Sequence, residues 1–95
     1  MIGFTAPLWL WNAGKGSWHF ITVPEELSLE IRAERFGSSG GFGSVRVEAT
    51  IEGVTWRTSV FPQKAGTYIL PVKAEVRRRA DIAAGDQVRV ALELI

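Results

Sequence analysis

From position 45 to 60 the side chains alternate with a period of two, and this run constrains the fold more than any other. Val45, Val47, Ala49 and Ile51 fall on one face of a strand, while Arg46, Glu48, Thr50 and Glu52 fall on the other. That is the pattern of a half-buried strand. Glu52 and Gly53 turn the chain, and Val54, Trp56, Thr58 and Val60 then return on the inner face opposite Thr55, Arg57 and Ser59. Two alternating runs joined through two residues ending in glycine predict an antiparallel hairpin.

The remaining segments extend the same theme. Phe4, Ala6, Leu8 and Leu10 alternate with Thr5, Pro7, Trp9 and Trp11, so the first strand carries apolar groups on both faces and is expected to be buried on both sides. Pro7 belongs where no ladder donor is needed. Asn12, Gly14 and Gly16 supply a turn, and Trp18–Val23 predicts a second strand in a hairpin with the first. Pro24, Glu25 and Glu26 suit a helix N-terminus, because proline there sacrifices no hydrogen bond and carboxylates favour the positive dipole end. A helix is expected from Pro24 to about Arg35, with Leu27 and Ile31 facing inward, ended by the glycine- and serine-rich stretch 37–41. Phe61–Gly66 reads as a loop, Thr67–Leu70 as a short strand stopped by Pro71, Val72–Ala80 as a helix with Val72 and Val76 inward, and Val88–Leu94 as the last strand. The fold class is mainly β, a small barrel of about six strands with two short helices.

Ninety-five residues suffice for one domain, covering 1–95, since a chain of this size buries only roughly two-thirds of its unfolded surface. An apolar share of 46% against 22% charged argues against disorder. The formal charge of +1 is too small to imply an electrostatic partner such as nucleic acid or an anionic membrane. Without cysteine there is neither a disulfide framework nor a thiolate nucleophile or metal ligand. Ile2–Trp11 lacks a basic leader and is shorter than the roughly 20 residues that span a bilayer, so a cytoplasmic protein is expected.

The order of elements repeats. Phe20-Ile21-Thr22-Val23-Pro24 leads one helix and Tyr68-Ile69-Leu70-Pro71 the other; Gly43 with Val45-Arg46-Val47 follows the first, and Gly85 with Val88-Arg89-Val90 follows the second. Both halves read strand, proline, helix, glycine, strand. Aligning the prolines offsets Leu27 and Ile31 from Val72 and Val76 by two residues, so separate use of proline caps is an alternative to duplication. Across Trp18–Pro24, Gly43–Val47, Trp56–Pro62, Gly66, Tyr68–Lys73, Arg77 and Gly85–Val90, the chain resembles the bacterial domain of unknown function 1905 family. The resemblance implies a double-split barrel, an arrangement shared with AbrB- and MazE-type proteins, and brings no established activity.

Candidate chemistry is sparse. His19 is the only histidine and has no partners at metal-ligand spacing, so no metal and no cofactor are expected. Ser44 or Ser59 with His19 and Asp81 or Asp86 has the residue types of a hydrolase triad but no nucleophile-elbow pattern. The glycine-rich run from Gly37 to Ser44 follows a helix and enters a strand, the reverse of a phosphate-binding loop. Lys73, Arg77, Arg78 and Arg79 make one helix end basic; the helix dipole and Glu75 account for part of that charge, and Lys73 and Arg77, four apart, would share a face toward an anion. Trp9, Trp11, Trp18 and Trp56 exceed what one small core needs, and rings at a barrel mouth stack ligands.

The expected binding site is therefore a cleft of Trp11, Trp18, Arg57, Tyr68, Lys73 and Arg77, with no catalytic residue assigned. The expected function is a non-enzymatic binding or accessory module for a small anionic or aromatic molecule or a protein partner, as a monomer or weak homodimer. An AbrB/MazE-like nucleic-acid-binding or antitoxin-type protein and a hydrolase-type enzyme are the rivals; net charge counts against the first, and the lack of a motif against the second.

Overall fold

The computed structural model describes residues 1–14, 16–35 and 43–95. Six strands, β1 (Ile2–Ala13), β2 (Gly16–Thr22), β3 (Val45–Ile51), β4 (Val54–Pro62), β5 (Tyr68–Pro71) and β6 (Gln87–Leu94), are interleaved with helices α1 (Glu25–Arg35) and α2 (Ala74–Ala80). The strands close a barrel in the order β1-β2-β5-β4-β3-β6, every neighbouring pair antiparallel. The expected β-rich barrel with two helices is thus present, and the strand–helix–strand order occurs twice. The expected connection at 37–41 lies outside the described residues.

The alternating positions define the core. Val45, Val47, Ala49, Ile51, Val54 and Val60 turn inward from the central hairpin and meet Phe4, Ala6, Leu8, Ile21, Leu70, Val88, Val90 and Leu92. Ile31 of α1 and Val76 of α2 close over this cluster, with Leu27 packed beside it. Full burial of an aliphatic side chain contributes about 1.5–3 kcal/mol before entropy is set against it. The hairpin turn at Glu52 and Gly53 has positive φ at both residues (47° and 78°), the type I′ geometry that matches the strand twist.

Three expectations need correction. β1 is buried on one face only: Thr5 and Pro7 are exposed and Trp9 half-buried. The reason is closure, because a barrel has one interior, and everything opposite Phe4, Ala6 and Leu8 must face out. Moreover β6 pairs with β1 only up to Pro7, so the far end of β1 continues with β2 as a two-stranded hairpin, leaving Leu10, Trp11 and Trp18 exposed. Second, Phe61 and Pro62 are not loop; they extend β4 and pair with Ile69 and Tyr68. Third, Pro71 does not head the second helix. It is the last residue of β5, opposite Phe20, and α2 starts at Ala74 with Lys73 as its cap; Val72 is buried, as expected, but outside the helix. Pro7 falls one residue before the β1–β2 ladder begins at Leu8, where its missing N–H is not called on.

Candidate functional site

The ladder between β4 and β5 ends early, and the cause is a single residue. Successive residues of an antiparallel strand direct their N–H and C=O groups to alternate sides. The Val72 N–H donates to the His19 carbonyl (2.9 Å) and the Tyr68 carbonyl accepts from the Val23 N–H (2.8 Å), so even-numbered residues of β5 face β2. Ile69 and Pro71 therefore face β4. Proline has no N–H, so the β4–β5 ladder cannot continue from Phe61 and Ile69 to a bond at the Ser59 carbonyl. Pairing of β4 with β5 is confined to Phe61 and Pro62, whereas β5 stays on β2 as far as Phe20. Beyond Pro71 the chain leaves β5 for Lys73 and α2, and Trp18 of β2 and Arg57 of β4 border hollows there.

Two hollows flank the end of β5. The inner one, about 430 Å³, is lined by Ser17, Trp18, His19, Trp56, Arg57, Thr58, Pro71, Val72, Lys73, Ala74 and Arg77. The outer groove, about 690 Å³, is lined by Trp11, Trp18, Phe20, Arg46, Arg57, Thr58, Ser59, Phe61, Ile69 and Pro71. Trp18, Arg57, Thr58 and Pro71 border both. Of the six residues expected to form the site, Trp18, Arg57, Lys73 and Arg77 meet around the inner cavity and Trp11 borders the adjoining groove. Tyr68 is not among them: its side chain is buried in the core, because the even positions of β5 point into the barrel.

Arg77 is the best-anchored cation. Its Nε donates to the Val72 carbonyl at 3.2 Å and its Nη1 approaches His19 Nε2 at 3.4 Å. An arginine only donates, so Nε2 must accept and the neutral ring carries its proton on Nδ1, which is buried and has no hydrogen-bond partner among the described residues. Burial first, and the Arg77 charge second, hold the His19 pKa below the usual histidine range. The ring is thus a neutral acceptor that orients the guanidinium. Lys73 and Arg57 make only loose, exposed ion pairs, with Glu75 at 3.9 Å and Glu48 at 3.6 Å; pairs of this kind contribute little and leave the cations available. Neither hollow is lined by a carboxylate.

Sequence reasoning passed over His19 as a partner of Arg77, because the two lie 58 positions apart. It also passed over Arg46 and Phe61; once β4 is extended through Pro62, Phe61 takes the same outward phase as Arg57 and Ser59 and so joins the groove. Trp9 is spent differently: its Nε1 donates to Thr22 Oγ1 at 2.9 Å and its ring lies 5.2 Å from that of Phe20. The residues weighed as a triad are not linked by hydrogen bonds. His19 faces Arg77, the Asp86 carboxylate accepts from the Ala83 N–H, and Asp81 is the left-handed C-cap of α2. Among the described residues no group of three histidine, aspartate or glutamate side chains is placed to hold a metal ion, and none of their helices is long and apolar enough to cross a membrane.

Fold and site together define a class: a small closed antiparallel β-barrel with two helices and a cation-lined hollow at the end of β5. Within that class the chain belongs to the family described as Domain of unknown function (DUF1905), whose model matches residues 4–92. No curated protein matches the chain.

Proposed function

We propose that this domain is a non-enzymatic binding module whose inner cavity takes a ligand combining an aromatic ring with an anionic group. One observation carries the reading: three cations, Arg57, Lys73 and Arg77, and two tryptophans, Trp18 and Trp56, surround one cavity that no carboxylate lines. The indole faces offer stacking area, and the fork of Arg77 suits a carboxylate or phosphate. His19 supports it by fixing that fork without adding charge.

The test is thermal denaturation with a panel of aromatic carboxylates and phosphates, indole-3-acetate among them. A ligand at 100 times its Kd stabilises by about 2.7 kcal/mol, which in a domain of this size raises Tm by roughly 10–20 °C. Arg77→Gln is expected to abolish the shift while the unliganded Tm shows the fold intact. Flat curves across the panel overturn the reading. A shift with random-sequence duplex DNA at low salt, in place of the panel, favours nucleic-acid binding instead.

A further inference from the structure

We infer that the outer face of the barrel from β1 to β3 binds a short stretch of single-stranded nucleic acid, with bases stacked on its aromatic rings and phosphates on Arg46 and Arg57. The inference goes beyond the small-ligand reading, because it stands on the outer groove and not on the inner cavity. Cross-strand partners in an antiparallel sheet share a face, as do residues two apart along a strand. Trp11 stands opposite Trp18, and Trp9 opposite Phe20. Phe20 in turn stands opposite Pro71, and Ile69 opposite Phe61. Phe61 is in phase with Ser59 and Arg57 along β4, and Ser59 is the partner of Arg46. Five strands therefore present one continuous face, with aromatic rings toward β1 and β2 and arginines toward β3.

On that face Trp11, Trp18 and Phe61 are 49%, 56% and 44% exposed, so their rings are open to a ligand. The groove of about 690 Å³ is bordered by all three, and a further hollow of about 250 Å³ adjoins it at Trp11, Phe20 and Ile69. Hollows in file along a row of rings suit a ligand that repeats flat rings. Charge makes the rest of the choice: Arg46 and Arg57 line the groove, and among the described residues neither hollow is lined by a carboxylate. Glu48 lies beside Arg57 at 3.6 Å, but so loose and exposed a pair contributes little and leaves the guanidinium available. Rings alternating with anions are the chemistry of a single-stranded nucleic acid, whose bases stack on aromatic side chains while its phosphates meet cations. A duplex keeps its base faces stacked inside and has nothing to offer the rings. A second copy of the chain brings to this face the same excess of arginine over carboxylate, a poorer match in charge. Two arginines hold a strand weakly, in keeping with a net charge of +1, so stacking carries the affinity.

The experiment titrates the whole chain into fluorescently labelled octamers of thymidylate and of uridylate, read by anisotropy over a range of salt concentrations. Both are expected to bind, with log affinity falling against log salt no more steeply than about −1.4, or about −0.7 for each of two phosphates. Trp11→Ala and Phe61→Ala remove rings that border the outer groove and not the inner cavity. Each is expected to weaken the octamers at least about fivefold and to leave indole-3-acetate unaffected, with the unliganded Tm showing the fold intact. Arg46→Gln is expected to flatten the salt slope by about 0.7. Arg77→Gln does the reverse of the ring variants, abolishing indole-3-acetate binding and sparing the octamers. Unchanged anisotropy with both octamers overturns the inference, as does binding that Trp11→Ala and Phe61→Ala leave intact. A salt slope of about −3 or steeper overturns it too, since that needs more cations than the face holds. Octamer binding lost in Arg77→Gln but kept in Trp11→Ala places the strand in the inner cavity and overturns the outer face. A dimer in sedimentation that Trp11→Ala dissolves, without octamer binding, makes a second copy the occupant instead. The indole-3-acetate arm reports on the small-ligand reading separately, so either idea can fail without the other.

Discussion

Ser28 is the one fully buried polar side chain among the described residues, and its removal gives a sharp test of how α1 is fastened to the barrel. Its hydroxyl donates to the Val23 carbonyl at 3.1 Å and accepts from the Tyr68 N–H at 3.0 Å. One side chain thus ties together the end of β2, the first turn of α1 and the start of β5. Ser28→Ala keeps the helix and its packing but strands both backbone groups. An orphaned buried donor costs about 1–3 kcal/mol, while the carbonyl, with its second lone pair, suffers less and the deleted hydroxyl no longer needs desolvation. The net expectation is a loss of about 2 kcal/mol, or roughly 8–16 °C in Tm for a domain of this size. Urea unfolding followed by tryptophan fluorescence measures it, with an unchanged slope showing that the midpoint reports stability alone. Leu29→Ala, one residue on and 55% exposed, is the control and is expected within about 0.5 kcal/mol of the parent. A Ser28→Ala loss no larger than the control refutes the reasoning.

Two further predictions follow from local geometry. Because the folded His19 pKa lies below its unfolded value of about 6.5, the unfolded chain takes up the proton first as pH falls. The contribution of His19 is therefore fully present above about pH 6.5 and is lost as pH drops through the folded pKa. Unfolding free energies measured from pH 7.5 downward are expected to fall through that window and to flatten in His19→Gln; an identical slope in the variant refutes the assignment. Glu52 sits at φ 47° in the I′ turn, where an ordinary side chain bears a left-handed cost of order 1–2 kcal/mol that asparagine largely avoids. Glu52→Asn is expected to stabilise by about 0.5–1 kcal/mol in urea titrations, and an unchanged or lower midpoint contradicts that geometry.

Much of the barrel was legible without coordinates. The period-two run from Val45 to Val60 determines which face is buried regardless of its neighbours, and Glu52-Gly53 specifies the turn, because both signals act over two to four residues. Pro24 with Glu25 and Glu26 marked the start of α1 for the same reason. Four of the six expected site residues converge on one cavity, since exposed aromatic and basic residues on strand faces have few other places to lie. Tertiary structure decided the rest. Only closure says which face of β1 is inside, and only the alternation of β5 between two neighbours sends Tyr68 into the core and turns the missing N–H of Pro71 toward β4. Ser28 looked like any helical serine until Tyr68, forty positions away, needed an acceptor. Periodicity is local and survives in one dimension. The cavity, the His19–Arg77 contact and the Ser28 bridge join segments distant along the chain, and only the closed barrel brings them together.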